Sequence, residues 1–153
     1  MLNKENQVAV YHSEKIEYPK TAFNPPEQYP EHPFKETDPE NQIYPAVRES
    51  LRLLGMDSKN YGTKNWNPLG ELISPGDRVV IKPNLVLHKS RLEGGDLFSV
   101  IVHPSVLRPI IDYVYVALKG RGRITVADSP LQTADFEKLL DVSRLSDMIR
   151  LFA

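Results

Sequence analysis

Two short apolar runs in this chain end on residues that can bind an anion or a cation. Val79, Val80 and Ile81 lead into Lys82, Pro83 and Asn84, while Ile124, Thr125, Val126 and Ala127 lead into Asp128, Ser129 and Pro130. An ammonium, a carboxamide, a carboxylate and a hydroxyl together suit a phosphate, a sugar or a carboxylate bridged by a divalent cation. Lys82, Asn84 and Ser129 are therefore candidate ligand-binding residues, and Asp128 is the candidate ligand for Mg²⁺ or Mn²⁺. The set works only if the two runs are neighbouring parallel strands, because ligands in open parallel sheets bind beyond the carboxyl ends of the strands. The spacing alone is weakly specific. Lys82 can equally snorkel from a strand end, Asn84 can hold a turn after Pro83, and Asp128 with Ser129 can cap a following helix.

His103, just before Pro104, joins the ligand-binding candidates because a helix start favours an anion. A role beside the helix cap outweighs this, since no second residue stands at metal-ligand spacing. Lys89, Arg91, Gly94 and Gly95 lie in the loop after Asn84. They suit closure over an anion, but a solvated loop is the stronger reading, and no phosphate-loop or dinucleotide glycine spacing is present. His12 and His32 stand outside any cluster and are assigned nothing. No nucleophile with a base can be named, so no reaction follows.

The elements that must position these residues follow from periodicity. Residues 7–11, with Val8 and Val10, read as a short strand. Seven of the 13 prolines fall between Pro19 and Pro45. Proline removes a backbone donor and biases its predecessor to extended geometry, so residues 18–40 are expected to wrap the surface or form a mobile arm. Tyr18, Phe23, Tyr29 and Phe34 tip this toward a wrap. Asn41 is a candidate helix cap, and Tyr44, Val47, Leu51 and Leu54 recur at helical spacing until Gly55. Residues 56–73 read as loop with Trp66 packed inward, and Pro75, Gly76 and Asp77 turn into a strand over 78–82.

Pro104 suits the first position of the next helix, whose broad apolar face runs from Val106 to Leu118, and Pro109 is expected to bend or break it. Residues 123–127 read as a strand, and 133–152 as one helix or two parted near Ser143. Strands alternating with helices predict an α/β fold: a small three-layer α/β/α unit with a mainly parallel sheet and a proline-rich extended N-terminal segment.

Composition bounds the function. At 153 residues the chain fits one domain of about 100–200 residues. Its 19 Lys and Arg against 20 Asp and Glu give a net charge of −1, without the basic footprint of a nucleic-acid-binding protein. The absence of cysteine removes disulfides, iron–sulfur clusters and thiolate zinc sites. No apolar run reaches membrane length and no secretory leader opens the chain, so a cytoplasmic location is expected.

The run from Val80 to Leu85, then Val102, His103 and Pro104, then Ile124 to Pro130, resembles the DUF362 family, a domain of unknown function, in order and spacing. Residues 74–140 carry the resemblance best. Relatives show a strand ending in Lys-Pro-Asn, a Thr-His-Pro opening a helix, and an Asp with Ser-Pro after the next strand; here Val102 replaces the threonine. Tyr44, Arg48, Leu54, Gly55 and Trp66 to Gly70 are similar to a proline-rich subgroup found near bacterial polysaccharide genes. The iron–sulfur association of some relatives does not carry over without cysteines. The family's later half is not in this sequence, so the resemblance implies one incomplete domain over 1–153, with 18–45 as an extended arm. The expected function is binding of an anionic, phosphorylated or sugar-linked small molecule, with a divalent cation on Asp128. The alternatives are a non-catalytic interaction module docking through its arm, or an inactive fragment. Homo-oligomerisation or association with the missing half is also expected, since open sheet edges need cover.

Overall fold

The computed structural model describes residues 7–14, 17–19 and 23–152. Helix α1 spans Ile43–Leu53, strand β1 Arg78–Ile81, helix α2 Pro104–Leu118, strand β2 Arg123–Val126, helix α3 Phe136–Val142 and helix α4 Leu145–Arg150. Short 3₁₀ turns occur at Ser58–Asn60 and Leu97–Ser99. The protein is thus a mixed α/β unit around a two-stranded parallel sheet. Arg78 pairs in register with Arg123 and Ile81 with Val126. This in-register pairing brings Lys82 and Ala127 to the same rim, where the Ala127 amide donates to the Ile81 carbonyl at 3.0 Å.

The expected strand over 7–11 is not formed: these residues pair with nothing described, and Val8 and Val10 are exposed. Alternation supplies an apolar face, but a strand holds only when a neighbour takes its backbone groups. β1 ends at Ile81, directly before Lys82, and β2 at Val126, with Ala127 between it and Asp128. One side of the sheet places Ile81, Ile124 and Val126 against the core, while Val80 remains 66% exposed.

α1 starts as the sequence suggests, because the Asn41 side-chain oxygen accepts the amides of Ile43 (3.0 Å) and Tyr44 (3.2 Å). The Asn41 side-chain Nδ2 donates to the Asn24 carbonyl at 2.8 Å and so ties the helix start to the proline-rich segment. Phe23, Asn24, Tyr29 and Glu31 are buried, which places this described part of the segment against the helices.

α2 is one helix, with no break at Pro109. The missing Pro109 amide removes one helical bond, but Leu107, Ile111, Tyr113, Val114, Ala117 and Leu118 are all buried around it. Packing on several sides offsets a defect that would end an exposed helix. Leu118, Lys119 and Gly120 then turn the chain, and Gly122 (φ +130°) enters β2 where a Cβ would meet the Asp77 carbonyl at 2.5 Å. Only glycine permits that approach. The terminal region forms two helices, with Ser143 and left-handed Arg144 between them. Leu139, Leu145 and Met148 complete a core with Phe23, Leu85, Leu107 and Ile111, while Leu51, Trp66 and Tyr113 form a second cluster.

Candidate functional site

The carboxyl ends of β1 and β2 bring three of the sequence-nominated residues together. Lys82 Nζ lies 2.7 Å from Asp128 Oδ1 and donates to Asn84 Oδ1 at 3.4 Å. The other Asp128 oxygen accepts the Leu85 amide at 2.6 Å. The two partners differ in exposure: the Lys82 side chain is 62% accessible and that of Asp128 only 5%. The hydrogen bond from Lys82, with the backbone amides of Leu85 and Ser129, holds the Asp128 carboxyl below the usual aspartate range despite its burial. Asp128 is thus an ionised acceptor locked to the backbone, and Lys82 a cation with a free flank to solvent. Ser129 is exposed beside it.

The chain after Asn84 is fixed by backbone pairing. Leu85 and Ile101 form an isolated antiparallel bridge, and the Val102 amide donates to the Asn84 carbonyl at 2.8 Å. This brings His103 to the same end of the fold, but its ring serves the helix. Nδ1 accepts the Ser105 amide at 3.1 Å and lies 2.7 Å from Ser105 Oγ. The ring stacks on Tyr18 at 4.1 Å and meets Phe23 and Phe98 edge-on. Burial pushes its pKa down to about 4, so it is a neutral cap at ordinary pH.

Lys89, Arg91, Gly94 and Gly95 are exposed in the loop that follows. Arg91 borders an open cavity of about 420 Å³ with Val86, Leu92 and Leu131. The loop is anchored by His88, absent from the sequence-based candidates, whose Nδ1 accepts the Asp135 amide at 3.0 Å. Its only signal in the sequence is its place after the strand.

For a divalent cation the donor set is sparse. Among the described residues no group of three His, Cys, Asp or Glu side chains could hold a metal ion. Asp128 is the carboxylate present, with Asn84 Oδ1 as a neutral oxygen close by, and both Asp128 oxygens already have hydrogen-bond donors.

A second polar cluster lies away from the strand ends, where Tyr44 and Arg48 of the subgroup resemblance meet Glu31, Asp112 and Tyr113, which no motif singles out. Arg48 is buried, donating from Nε to Glu31 Oε1 (2.8 Å) and from Nη1 to the Tyr61 hydroxyl (2.7 Å), and Tyr113 donates to the same Glu31 oxygen at 3.1 Å. The Arg48 guanidinium lies over the rings of Tyr29, Tyr61 and Trp66, 4.3–4.8 Å from their centroids. Next to it Asp112, fully buried, accepts Arg108 Nε at 3.0 Å and the Tyr44 hydroxyl at 2.7 Å. His32 Nε2 lies 3.1 Å from that hydroxyl. Burial raises the pKa of Asp112 against the pull of Arg108 and lowers that of His32 to about 4. Every charge here has a partner inside the protein. The cluster joins residues 29–32 to α1 and α2.

No helix among the described residues is long and apolar enough to cross a membrane. No curated protein and no solved structure matches the chain. The family model of the domain of unknown function DUF362 matches residues 79–151, a span holding β1, β2, α2, α3, α4 and the Lys82–Asp128 rim. This span, which contains Lys82, His103 and Asp128 and is free of cysteine, is similar to the DUF362 family.

Proposed function

We propose that the rim formed by β1 and β2 binds an anionic small molecule, of the phosphorylated or sugar-linked kind, with Lys82 as its cation. The observation that carries this reading is the unequal exposure of the ion pair: Asp128 is held by backbone amides, while Lys82 is 62% accessible and can turn its ammonium to a ligand without unfolding anything. Asn84 and the exposed Ser129 hydroxyl supply polar contacts, and Lys89 and Arg91 lie on the loop above. A Mg²⁺ or Mn²⁺ ion would enter between Lys82 and Asp128, taking Asp128 and Asn84 oxygens and leaving its other positions to water and the ligand's own oxygens. His103 acts on this site through the helix start it caps. In this reading a third layer would cover the exposed Val80 side of the sheet.

Isothermal titration with inorganic phosphate, with and without Mg²⁺, tests the proposal. Lys82→Ala and Asp128→Asn should each weaken binding by about tenfold or more while leaving the unfolding transition in place. Wild-type affinity in both variants would end this reading.

A second reading, a non-catalytic interaction module, is favoured by the exposed Val80 on a sheet of only two described strands. It predicts self-association or partner binding through that surface. Light scattering across a hundredfold range of protein concentration tests self-association, and Val80→Lys should abolish any dimer.

A further inference from the structure

At the other end of α2 lies a cavity that the strand-end site does not use. We propose that it is a second, separate binding site, for a phosphorylated polyol. The cavity, about 550 Å³, lies between the 57–71 segment and the last turn of α2, where Val116 and Lys119 border it. That is the size of a small-molecule pocket. The fifteen-residue helix places it about 22 Å from the His103 end of α2.

Three ammonium groups, from Lys59, Lys64 and Lys119, stand around it, and none of them is engaged in an ion pair among the described residues. Two carboxylates also border it. That of Asp57 is consumed internally, accepting Asn60 Nδ2 at 2.7 Å and the Asn67 amide at 2.9 Å. Asp57 keeps its negative charge, so the lining carries three ammonium groups against two carboxylates, a net positive balance that favours an anionic group such as a phosphate monoester.

The polar wall contains the more telling feature. Asn67 Oδ1 is buried and has no hydrogen-bond donor among the described residues. A buried carbonyl left without a donor is unfavourable, and a turn of the Asn67 side chain, which lines the cavity, would bring it to a ligand hydroxyl. Gly70 makes room for that amide: a Cβ at Gly70 would come within 2.4 Å of Asn67 Nδ2. Asn60 and Asn65 add further carboxamides suited to hydroxyl groups. The floor is rigid, because Trp66 is fully buried, donates to the Met56 carbonyl at 2.9 Å and meets Tyr61 and Tyr113 edge-on. A positive rim, an unpartnered acceptor in the wall and a glycine that leaves room for it form one recognition surface for an anion bearing hydroxyls.

The test is titration of the full chain with glucose 6-phosphate, followed by fluorescence of Trp66, the only tryptophan, and in parallel by calorimetry, which detects binding that leaves the indole unperturbed. Saturable binding is expected, with glucose and inorganic phosphate each weaker by about tenfold or more, because each offers half of the contacts. Lys64→Ala and Lys119→Ala, both at exposed positions, should each weaken it by about fivefold to tenfold. The binding read by Trp66, which lines this cavity, should persist in Lys82→Ala, whereas any heat arising at the strand-end rim is lost in that variant, which separates the two sites. Absence of saturable heat and fluorescence change would overturn the proposal. So would equal affinity for inorganic phosphate, or binding lost in Lys82→Ala but kept in both cavity variants.

Discussion

The Arg48–Glu31 pair and the Lys82–Asp128 pair have similar separations, 2.8 and 2.7 Å, in opposite surroundings. The Arg48 and Glu31 side chains are 10% and 0% accessible, and both carboxylate oxygens of Glu31 are met from inside by Arg48 and Tyr113. Lys82 faces water. A buried pair has no outlet: removing either partner strands the other in a medium that cannot solvate it. A pair with one exposed member costs little to break and can exchange its partner for a ligand. The difference between staple and site therefore lies in the surroundings of the charges and not in the bond.

The largest test of this contrast is Glu31→Ala, which leaves the Arg48 guanidinium buried without its carboxylate and the Tyr113 hydroxyl without an acceptor. A loss of about 3–5 kcal/mol is expected in urea unfolding. A loss below about 1 kcal/mol would mean that the cluster does not hold residues 29–32 in place.

Acid comes next. His32 and His103 titrate near 6.5 when unfolded and near 4 when folded, because burial penalises their charged forms. Between those values the unfolded chain binds more protons, so stability is full above pH 6.5 and falls as pH drops toward 4. For His32 alone this amounts to about 3 kcal/mol across the window. Urea midpoints at pH 7 and pH 4.5 measure the fall, and His32→Gln should flatten the slope by its share.

Tyr44→Phe sharpens the comparison inside the buried cluster. Asp112 keeps Arg108 but loses the 2.7 Å bond from Tyr44, and His32 Nε2 loses its partner. A cost of about 1–3 kcal/mol follows from leaving these buried groups short of a bond. The smallest effect on stability belongs to Lys82→Ala, within about 0.5 kcal/mol, while ligand binding at the rim should be lost. A large stability loss there would make Lys82 a staple like Arg48 and remove the basis for an exchangeable site.

Much of the scaffold was legible because local signals carried it. Asn41 starts α1, Gly55 follows its end, Pro104 opens α2 and Pro75-Gly76 turns into β1, each by a backbone preference that acts within a few residues. Tertiary context decided two places where local preference alone was ambiguous. Residues 7–11 had strand alternation but found no pairing neighbour, and Pro109 had a helix breaker's chemistry but sits in a helix held from several sides. In the strand-end rim the convergence of Lys82, Asn84 and Asp128 was legible, since strand ends in a parallel pair share a rim. The commitment of the His103 nitrogen to Ser105 was not, because nothing in the sequence fixes the direction of an imidazole.

The sequence by itself determined most of the elements, the absence of thiol chemistry and the residue types at the strand ends, because these depend on composition and short-range backbone preference. Only the tertiary structure decided which charges are staples and which are free, that Glu31 meets Arg48 and Tyr113, and that Asn67 faces a cavity edged by Lys119 from a distant helix. Burial and partnership arise between residues far apart in the chain, and the free energy of a charge depends on both.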